Sequence, residues 1–531
     1  MIIPIIKRHT HAIRLYIIMA VAVVMFDLYI LISLTYILGH ILPAVPPVRF
    51  ILLFVFALMN SFCLYMFSQK KAIHITESII SETREQIIEQ IRKSELQSFE
   101  KLEKTGAYNV ITMDTQIIAD SIVILLQLID YSIVCIGILV YFLFISQMAF
   151  WFTLSIFILG GLLYSHYIIR AKDLIHKSRK KERELFGAAK DLIEGFKELK
   201  SNDEKNDDFF HHCLKVKSAE NRELKIKAEH LLVESYVHSI WIEFGVFIPI
   251  VFIMPAIGLI SYDVMISCIT LILFLPFGII KDSIPYLVRA SVSVERLLEF
   301  ENDLNELKKE DTCTCKESKI KQFSEIKFNN ITFHYTNSKG NLLFGLQNMT
   351  CSFYPGEIVF IIGGNGSGKS TLLKVLTGLY FPFSGNIKID EKEVQIADYR
   401  FLFSAILSDF HLFDRFYGFI DDVDQNEVKS LLKIMELDQK ITIENNRFST
   451  LDLSTGQRKR LAMLVAIMED KPIYVFDEWA ADQSPRFREF FYHYLLPSLR
   501  KKGKTVIAVT HDDQYFNVAD RILKLDYGRL I

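Results

Sequence analysis

The residue types able to do chemistry stand at the ends of three apolar runs. Lys369 and Ser370 follow Ile358–Ile362 and the turn Gly363-Gly364-Asn365-Gly366-Ser367-Gly368. Asp477 and Glu478 follow Ile473-Tyr474-Val475-Phe476, and His511 follows Val506–Thr510. The turn fits G-x-x-x-x-G-K-[ST], a nucleotide phosphate loop. Its glycines let successive backbone N–H groups converge on one anion. The amphipathic helix opening at Lys369-Ser370-Thr371 adds unpaired amides and its positive end. Gly363, Asn365, Gly366, Ser367, Gly368, Lys369, Ser370 and Thr371 are therefore expected to cradle ATP or GTP phosphates. Lys369 is expected to reach the β- and γ-phosphates, and Ser370 to hold Mg²⁺. Asp477 suits a second Mg²⁺ contact, direct or through water. Glu478 can polarise the attacking water. His511 can donate to the γ-phosphate and register its loss. An Asp-Glu pair after a strand otherwise reads as acid at a helix start; the upstream phosphate loop favours catalysis.

Continuous apolar runs suit strands of a parallel sheet covered on both faces. Ligands bind such sheets beyond the carboxyl ends of the strands, so the three ends can meet at one nucleotide. From Ile326 onward the chain therefore reads as an α/β P-loop NTPase domain. Leu453-Ser454-Thr455-Gly456-Gln457 then opens a helix at Arg458-Lys459-Arg460. Ser454 and the amides of Thr455 and Gly456 make a second anion site at a helix start.

The first half has a different composition. The chain of 531 residues is 51% hydrophobic, with a mean hydropathy of +0.25. That is too apolar for a soluble protein, and the excess lies before the phosphate loop. A net charge of −2 gives no reason to expect nucleic acid. Lys7, Arg8 and Arg14 precede an apolar segment far longer than a signal core, without a cleavage pattern, so it reads as a membrane span. A span needs about 20 residues, and six candidates of adequate length are expected: about Ile13–Leu42, Phe50–Phe67, Ile117–Ile145, Phe150–Ile169, Tyr236–Ile260 and Val264–Ile280, with Pro249 and Pro255 as kinks. The connections 68–115 and 170–228 are rich in Lys and Arg, whereas the opposite ones carry only Arg49. Both termini, both basic connections and the nucleotide domain are therefore expected in the cytoplasm, with the spans in the cytoplasmic membrane. Helical spacing at Ile87, Ile88, Ile91 and Leu96, and again at Leu192, Ile193, Phe196 and Leu199, extends the spans beyond the lipid. The mixed charges there suit solvent better than a lipid surface.

Asp27, Asp130, His238 and Glu243 fall inside spans, where a charge facing lipid costs about 3 kcal/mol. For Asp27 and Asp130 a polar translocation path competes evenly with mutual pairing or a place near the cytoplasmic mouth; for His238 and Glu243 the latter is favoured. Cys313-Thr314-Cys315 and His211-His212-Cys213 lack the spacing of a metal site. The fold class is thus a polytopic α-helical membrane domain with six transmembrane helices (1–307), a charged linker (308–325) and the α/β P-loop NTPase domain (326–531).

Leu453–Gln457 resembles the signature of ABC transporter ATPases, usually LSGGQ. The resemblance spans almost the whole chain. It implies that Ser454, Thr455, Gly456 and Gln457 serve the ATP of a partner, and that two copies of this half-transporter form a homodimer. Phe333-His334-Tyr335 matches the adenine loop, which implies Tyr335 as the stacking ring. Ser408-Asp409-Phe410-His411-Leu412-Phe413-Asp414, Phe476-Asp477-Glu478-Trp479-Ala480-Ala481-Asp482-Gln483 and Thr510-His511-Asp512-Asp513-Gln514-Tyr515-Phe516 are most similar to bacterial exporters of cyclic peptides and peptide siderophore precursors. The implied activity is ATP-driven export of a small cyclic or modified peptide by alternating access; a lipid flippase or a non-transporting nucleotide-gated regulator is the alternative. Three departures concern coupling. Ser408 stands where the family has Gln and its Mg²⁺ contact passes to Ser408 or Asp409 or is lost. Ser484 stands where it has Asp, with Asp482 two residues earlier as a substitute. Thr455 replaces a Gly.

Overall fold

The computed structural model describes residues 9–37, 47–100, 104–273, 277–306, 323–336, 342–395, 399–419 and 423–531. The chain divides into two compact units, Met1–Arg92 with Leu102–Glu306, and Lys93–Lys101 with Leu307–Ile531.

Among the described residues of the first unit, five helices are long and apolar enough to cross a membrane. They are α1 (Thr10–Tyr36), α2 (Val48–Arg92), α4 (Ala107–Ile145), α5 (Gln147–Glu194) and α6 (Asp203–Ala256); the short α3 (Leu96–Phe99) falls in the second unit. The expected sixth span is occupied by a shorter apolar helix, α7 (Tyr262–Leu273), and by α8 (Phe277–Glu306), with residues 274–276 outside the described part. At 1.5 Å per residue the 45 residues of α2 and the 48 of α5 reach about 68 and 72 Å. That is more than twice the ~30 Å hydrocarbon layer, so these helices continue far beyond it. Ser146 makes the turn between α4 and α5 by leaving helical geometry and capping the next helix from its hydroxyl, 3.3 Å from the Ala149 amide. Pro249 has no amide to give, and the α6 backbone relaxes into a π-turn over Pro249–Ile253. Leu31, Ile138, Phe142, Val246, Ile250 and Leu271 from four helices form one apolar core.

Asp27 and Asp130 each accept a hydrogen bond from a hydroxyl. Ser61 donates to Asp27 at 2.5 Å, and the buried Tyr16 hydroxyl donates to Asp130 at 2.8 Å. Each acid thus meets a hydroxyl from a neighbouring helix and not a charged side chain, and Asp130 Oδ1 is buried without a hydrogen-bond partner among the described residues. His238 lies 2.7 Å from the Glu234 carbonyl and packs its ring on Tyr167; the side chain of Glu243 lies outside the described part.

In the second unit, β1 (Ile326–Thr336) and β2 (Leu342–Phe353) join β4 (Ser384–Ile389) and β5 (Lys392–Glu393) in an antiparallel sheet ordered β2-β1-β4-β5. The other sheet is ordered β12-β11-β3-β10-β9-β6. It comprises β3 (Ile358–Ile362), β6 (Phe403–Ile406), β9 (Ile473–Asp477), β10 (Thr505–Val509), β11 (Arg521–Asp526) and β12 (Arg529–Leu530), with a small β7–β8 hairpin (Ile443–Glu444, Arg447–Phe448) outside it. β11, β3, β10, β9 and β6 are mutually parallel. Alternate residues enter opposite cores: Phe360, Phe476 and Ala508 on one face, Ile361, Val475 and Ile507 on the other. Each buried large side chain contributes about 1.5–3 kcal/mol. Both faces being covered explains why the strands read as unbroken apolar runs.

Lys93–Lys101 shares this core: Leu96 packs against it, and Glu100 accepts hydrogen bonds from the Tyr380 hydroxyl and from Lys374 Nζ at 3.0 Å. Burial, with the bond to Glu100 next, raises the Tyr380 hydroxyl pKa. Nearly all of the expected linker, with Cys313 and Cys315, lies outside the described residues. Among the described residues no group of three metal-ligating side chains forms.

Candidate active site

β3, β10 and β9 lie side by side, with Val509 opposite both Ile361 and Asp477. Their carboxyl ends are thus level, and the phosphate loop, Glu478 and His511 emerge along one edge. The chain leaves β3 through Gly363, where any Cβ would fall 2.1 Å from the Leu525 carbonyl oxygen. Asn365, Gly366 and Ser370 are exposed, while Ser367 and Thr371 are buried. Gly368, at φ 105°, turns the chain into helix α9 (Lys369–Leu376), which has no side-chain cap. Its first amides therefore face the loop with nothing to satisfy them but an anion or water. Lys369 is 6% exposed, and its ammonium donates to the Gly363 and Gly364 carbonyls at 3.0 Å each. The Tyr335 hydroxyl lies 3.4 Å from Thr371 Oγ1 and from the Tyr380 hydroxyl, which sets its ring beside the first turn of α9.

Asp477 is 2% exposed, and neither carboxylate oxygen has a hydrogen-bond partner among the described residues. Such burial is costly unless water or a cation completes it. Glu478 takes left-handed backbone angles, φ 48° and ψ 39°, rare for a residue with a Cβ. His511 Nε2 lies 3.3 Å from Glu478 Oε1. Ser408 is exposed in the turn after β6, and the pairing of Ile406 with Phe476 sets that turn beside the end of β9. In the same turn Asp409 approaches Lys374 Nζ at 3.9 Å.

After α10 (Gln425–Ile434), helix α11 (Thr455–Met468) starts with a reciprocal cap: the Gln457 amide donates to Ser454 Oγ, and the Ser454 amide to Gln457 Oε1. Ser454 and Thr455 are exposed at its tip. Gly456 packs so closely that a Cβ would meet the Asp482 carbonyl oxygen at 2.7 Å. Gly456→Ala is expected to push residues 478–483 away and lower ATP turnover at least about tenfold, with nucleotide binding little changed; rate and affinity measured on one preparation check this. Three residues that the sequence did not single out join this contact. Lys459 Nζ donates to the Glu478 carbonyl at 2.8 Å and pairs with Asp482 at 2.7 Å. Arg460 donates to Gln483 Oε1 at 2.9 Å, and Gln483 donates to the Gly456 carbonyl at 3.1 Å. Ser484 caps helix α12 (Pro485–Phe490).

The pattern of the ABC transporter transmembrane region matches residues 13–206, and that of the ABC transporter itself matches residues 346–481. The ATP-binding protein SyrD of Pseudomonas syringae pv. syringae is 32% identical over 460 residues, which cover 81% of this chain and 79% of SyrD. This chain belongs to the ABC transporter family. The subtilin transport ATP-binding protein SpaT of Bacillus subtilis is 28% identical over 272 residues, 48% of this chain and 43% of SpaT. The solved structure of a bacterial Atm1-family ABC exporter with ATP bound has the same fold, with a TM-score of 0.76 at 17% identity, covering 99% of this chain and 94% of the other. One membrane domain and one ATP-binding domain on a single chain make this ABC transporter an exporter-type half-transporter. It is a multi-pass membrane protein whose ATPase is coupled to transport.

In this ABC transporter the segment around His511 is held by a second network. The Tyr492 hydroxyl is shared with Thr510 Oγ1 at 2.6 Å and donates to Asp512 at 3.0 Å; burial raises its pKa. Arg488 reaches Asp512 at 3.3 Å and donates to the Ala481 carbonyl at 3.3 Å. The residues on either side of His511 are thereby fixed, while the imidazole is left half exposed toward Glu478.

Proposed function

We propose that two copies of this chain bind two ATP molecules between their nucleotide domains and export a small cyclic or modified peptide from the cytoplasm. The observation that carries this reading is the exposed, self-capped tip of α11. The Ser454 oxygen accepts from its own helix and keeps its hydrogen for an outside acceptor. A γ-phosphate brought by a second copy is such an acceptor. The likeness of three catalytic stretches to exporters of cyclic peptides, and the similarity to a subtilin transport protein, support the cargo class.

Within each site Lys369 and the free amides of α9 bind the phosphates, and Tyr335 stacks on the adenine. Ser370 and the orphaned Asp477 carboxylate would hold Mg²⁺, which when bound neutralises phosphate charge. Glu478 orients the attacking water and takes its proton, with His511 beside it as donor to the γ-phosphate. Ser408, exposed at the neighbouring strand end, would be a further Mg²⁺ contact. The spans lie in the cytoplasmic membrane with both termini on the cytoplasmic side, as the basic connections direct.

The test measures ATPase activity of the purified protein in lipid against cyclic peptides, linear peptides and lipids. Severalfold stimulation by a cyclic or modified peptide is expected. No response to any peptide overturns the export reading, and a response to lipid alone makes the protein a flippase. A second experiment mixes Lys369→Ala chains with Ser454→Ala chains. Shared sites restore one intact site per mixed dimer and recover activity; mixtures as inactive as either variant would mean that each copy completes its own site.

A further inference from the structure

Glu478 sits in a backbone conformation that an L-residue adopts only at a cost, about 1–2 kcal/mol, so something nearby must hold it there. The backbone amide of Glu478 donates to the Val509 carbonyl at 3.2 Å, which anchors one side of the residue to β10. The other side is its carbonyl. That oxygen accepts the Lys459 ammonium at 2.8 Å and, more weakly, the Ala481 amide at 3.3 Å. Lys459 is 5% exposed, and its counter-charge is Asp482, 2.7 Å away and half exposed. The backbone carbonyl of Lys459 also accepts the Trp479 indole N–H at 3.0 Å. One residue of α11 therefore grips both members of the Glu478–Trp479 pair, one by its side chain and the other by its main chain.

A buried lysine is expensive to keep charged unless every contact repays it. An apolar residue at this place would pack against Trp479 without that expense. The ammonium does what no apolar group can: it fixes the orientation of the 478–479 peptide, and with it the direction in which the Glu478 side chain leaves the backbone. We propose that Lys459, with Asp482 as its counter-ion, is a positioning residue for ATP hydrolysis, holding the Glu478 carboxylate on the water that attacks ATP. This rests on the reading of Glu478 as the hydrolytic carboxylate. Asp482 gains its role here from its pairing with a buried cation, since Ser484, two residues on, is taken up in capping α12.

The experiment compares Lys459→Met, Asp482→Asn and their double variant with the parent protein in lipid vesicles. Binding of a fluorescent ATP analogue, kcat, KM and thermal midpoint are read on each. Lys459→Met is expected to lower kcat on the order of 10²-fold, the scale of a misplacement of about 1 Å, with the analogue's Kd and KM within about threefold. Asp482→Asn is expected to lower kcat by about tenfold, and the double variant to be no worse than Lys459→Met alone, because both act through one contact. Lys459→Met with kcat within twofold of the parent overturns the proposal, as does a rise in KM at unchanged kcat. If Lys459→Met fails to fold, Asp482→Asn decides, and parental kcat in that variant overturns it. Glu478→Gln runs alongside: an active Glu478→Gln overturns the underlying reading, whereas an inactive one beside an active Lys459→Met overturns only this inference.

Discussion

Glu478→Gln is expected to slow ATP hydrolysis by about 10²–10⁴-fold, the usual worth of a positioned general base, while the protein still binds ATP. That is a barrier increase of about 2.7–5.4 kcal/mol at 1.36 kcal/mol per decade. The size follows from the geometry. The amide of Gln has nearly the shape of the carboxylate, so the left-handed turn, the Val509 contact and the grip of Lys459 all survive. What disappears is the anion that can accept a proton from water and face His511 at 3.3 Å. Phosphate release under saturating ATP, with analogue binding on the same sample, checks this. A variant that keeps a tenth of parental turnover would remove Glu478 from the mechanism.

The second large effect belongs to Lys369. Its ammonium is buried and already converges on the loop with two carbonyl contacts of 3.0 Å. A nucleotide finds the charge in place, so little reorganisation opposes binding. Lys369→Ala removes a charge-assisted contact worth about 1.5–3 kcal/mol, or about 10- to 150-fold in ATP affinity. It also removes a donor aimed at the developing phosphate charge, a further ~10²–10³-fold in turnover. Thermal stabilisation by ATP is a clean second readout. Ligand at a hundred times its Kd stabilises the parent by about 2.7 kcal/mol, and at the same concentration the variant should show about 0.3–1.4 kcal/mol. Unchanged stabilisation by ATP would mean that the loop binds through its backbone alone.

The strand ends and the phosphate loop were legible because each depends on local pattern: an apolar run, then glycine, acid or histidine. That β3, β10 and β9 are parallel followed from the lack of polar alternation in those runs, whereas their order in the sheet did not. Lys459 was not legible. In the run Arg458-Lys459-Arg460 it looks like a solvated charge, and the groups it serves, Glu478 and Asp482, lie 19 and 23 residues further on. Ser484 read as a missing carboxylate, yet its hydroxyl has a local role that only the start of α12 reveals. The partners of Asp27 and Asp130 are Ser61 and Tyr16, on other helices whose register no sequence pattern fixes. The place of Lys93–Lys101 with the second unit was equally hidden, because Leu96 and Glu100 fit a solvated helix until Tyr380 and Lys374 are brought beside them.

Trp479 is 1% exposed, stacks on Phe491 at 4.6 Å and follows Glu478 directly. The other two tryptophans, Trp151 and Trp241, are 60% and 70% exposed on α5 and α6. Replacing both with Phe would leave a single intrinsic fluorophore whose neighbour in the chain is Glu478, the residue proposed to drive hydrolysis. Its emission should be blue-shifted and resistant to acrylamide quenching, and the spectrum should change as ATP arrives and phosphate departs. The molecule thus carries its own optical clock for the catalytic cycle, one that needs no attached dye.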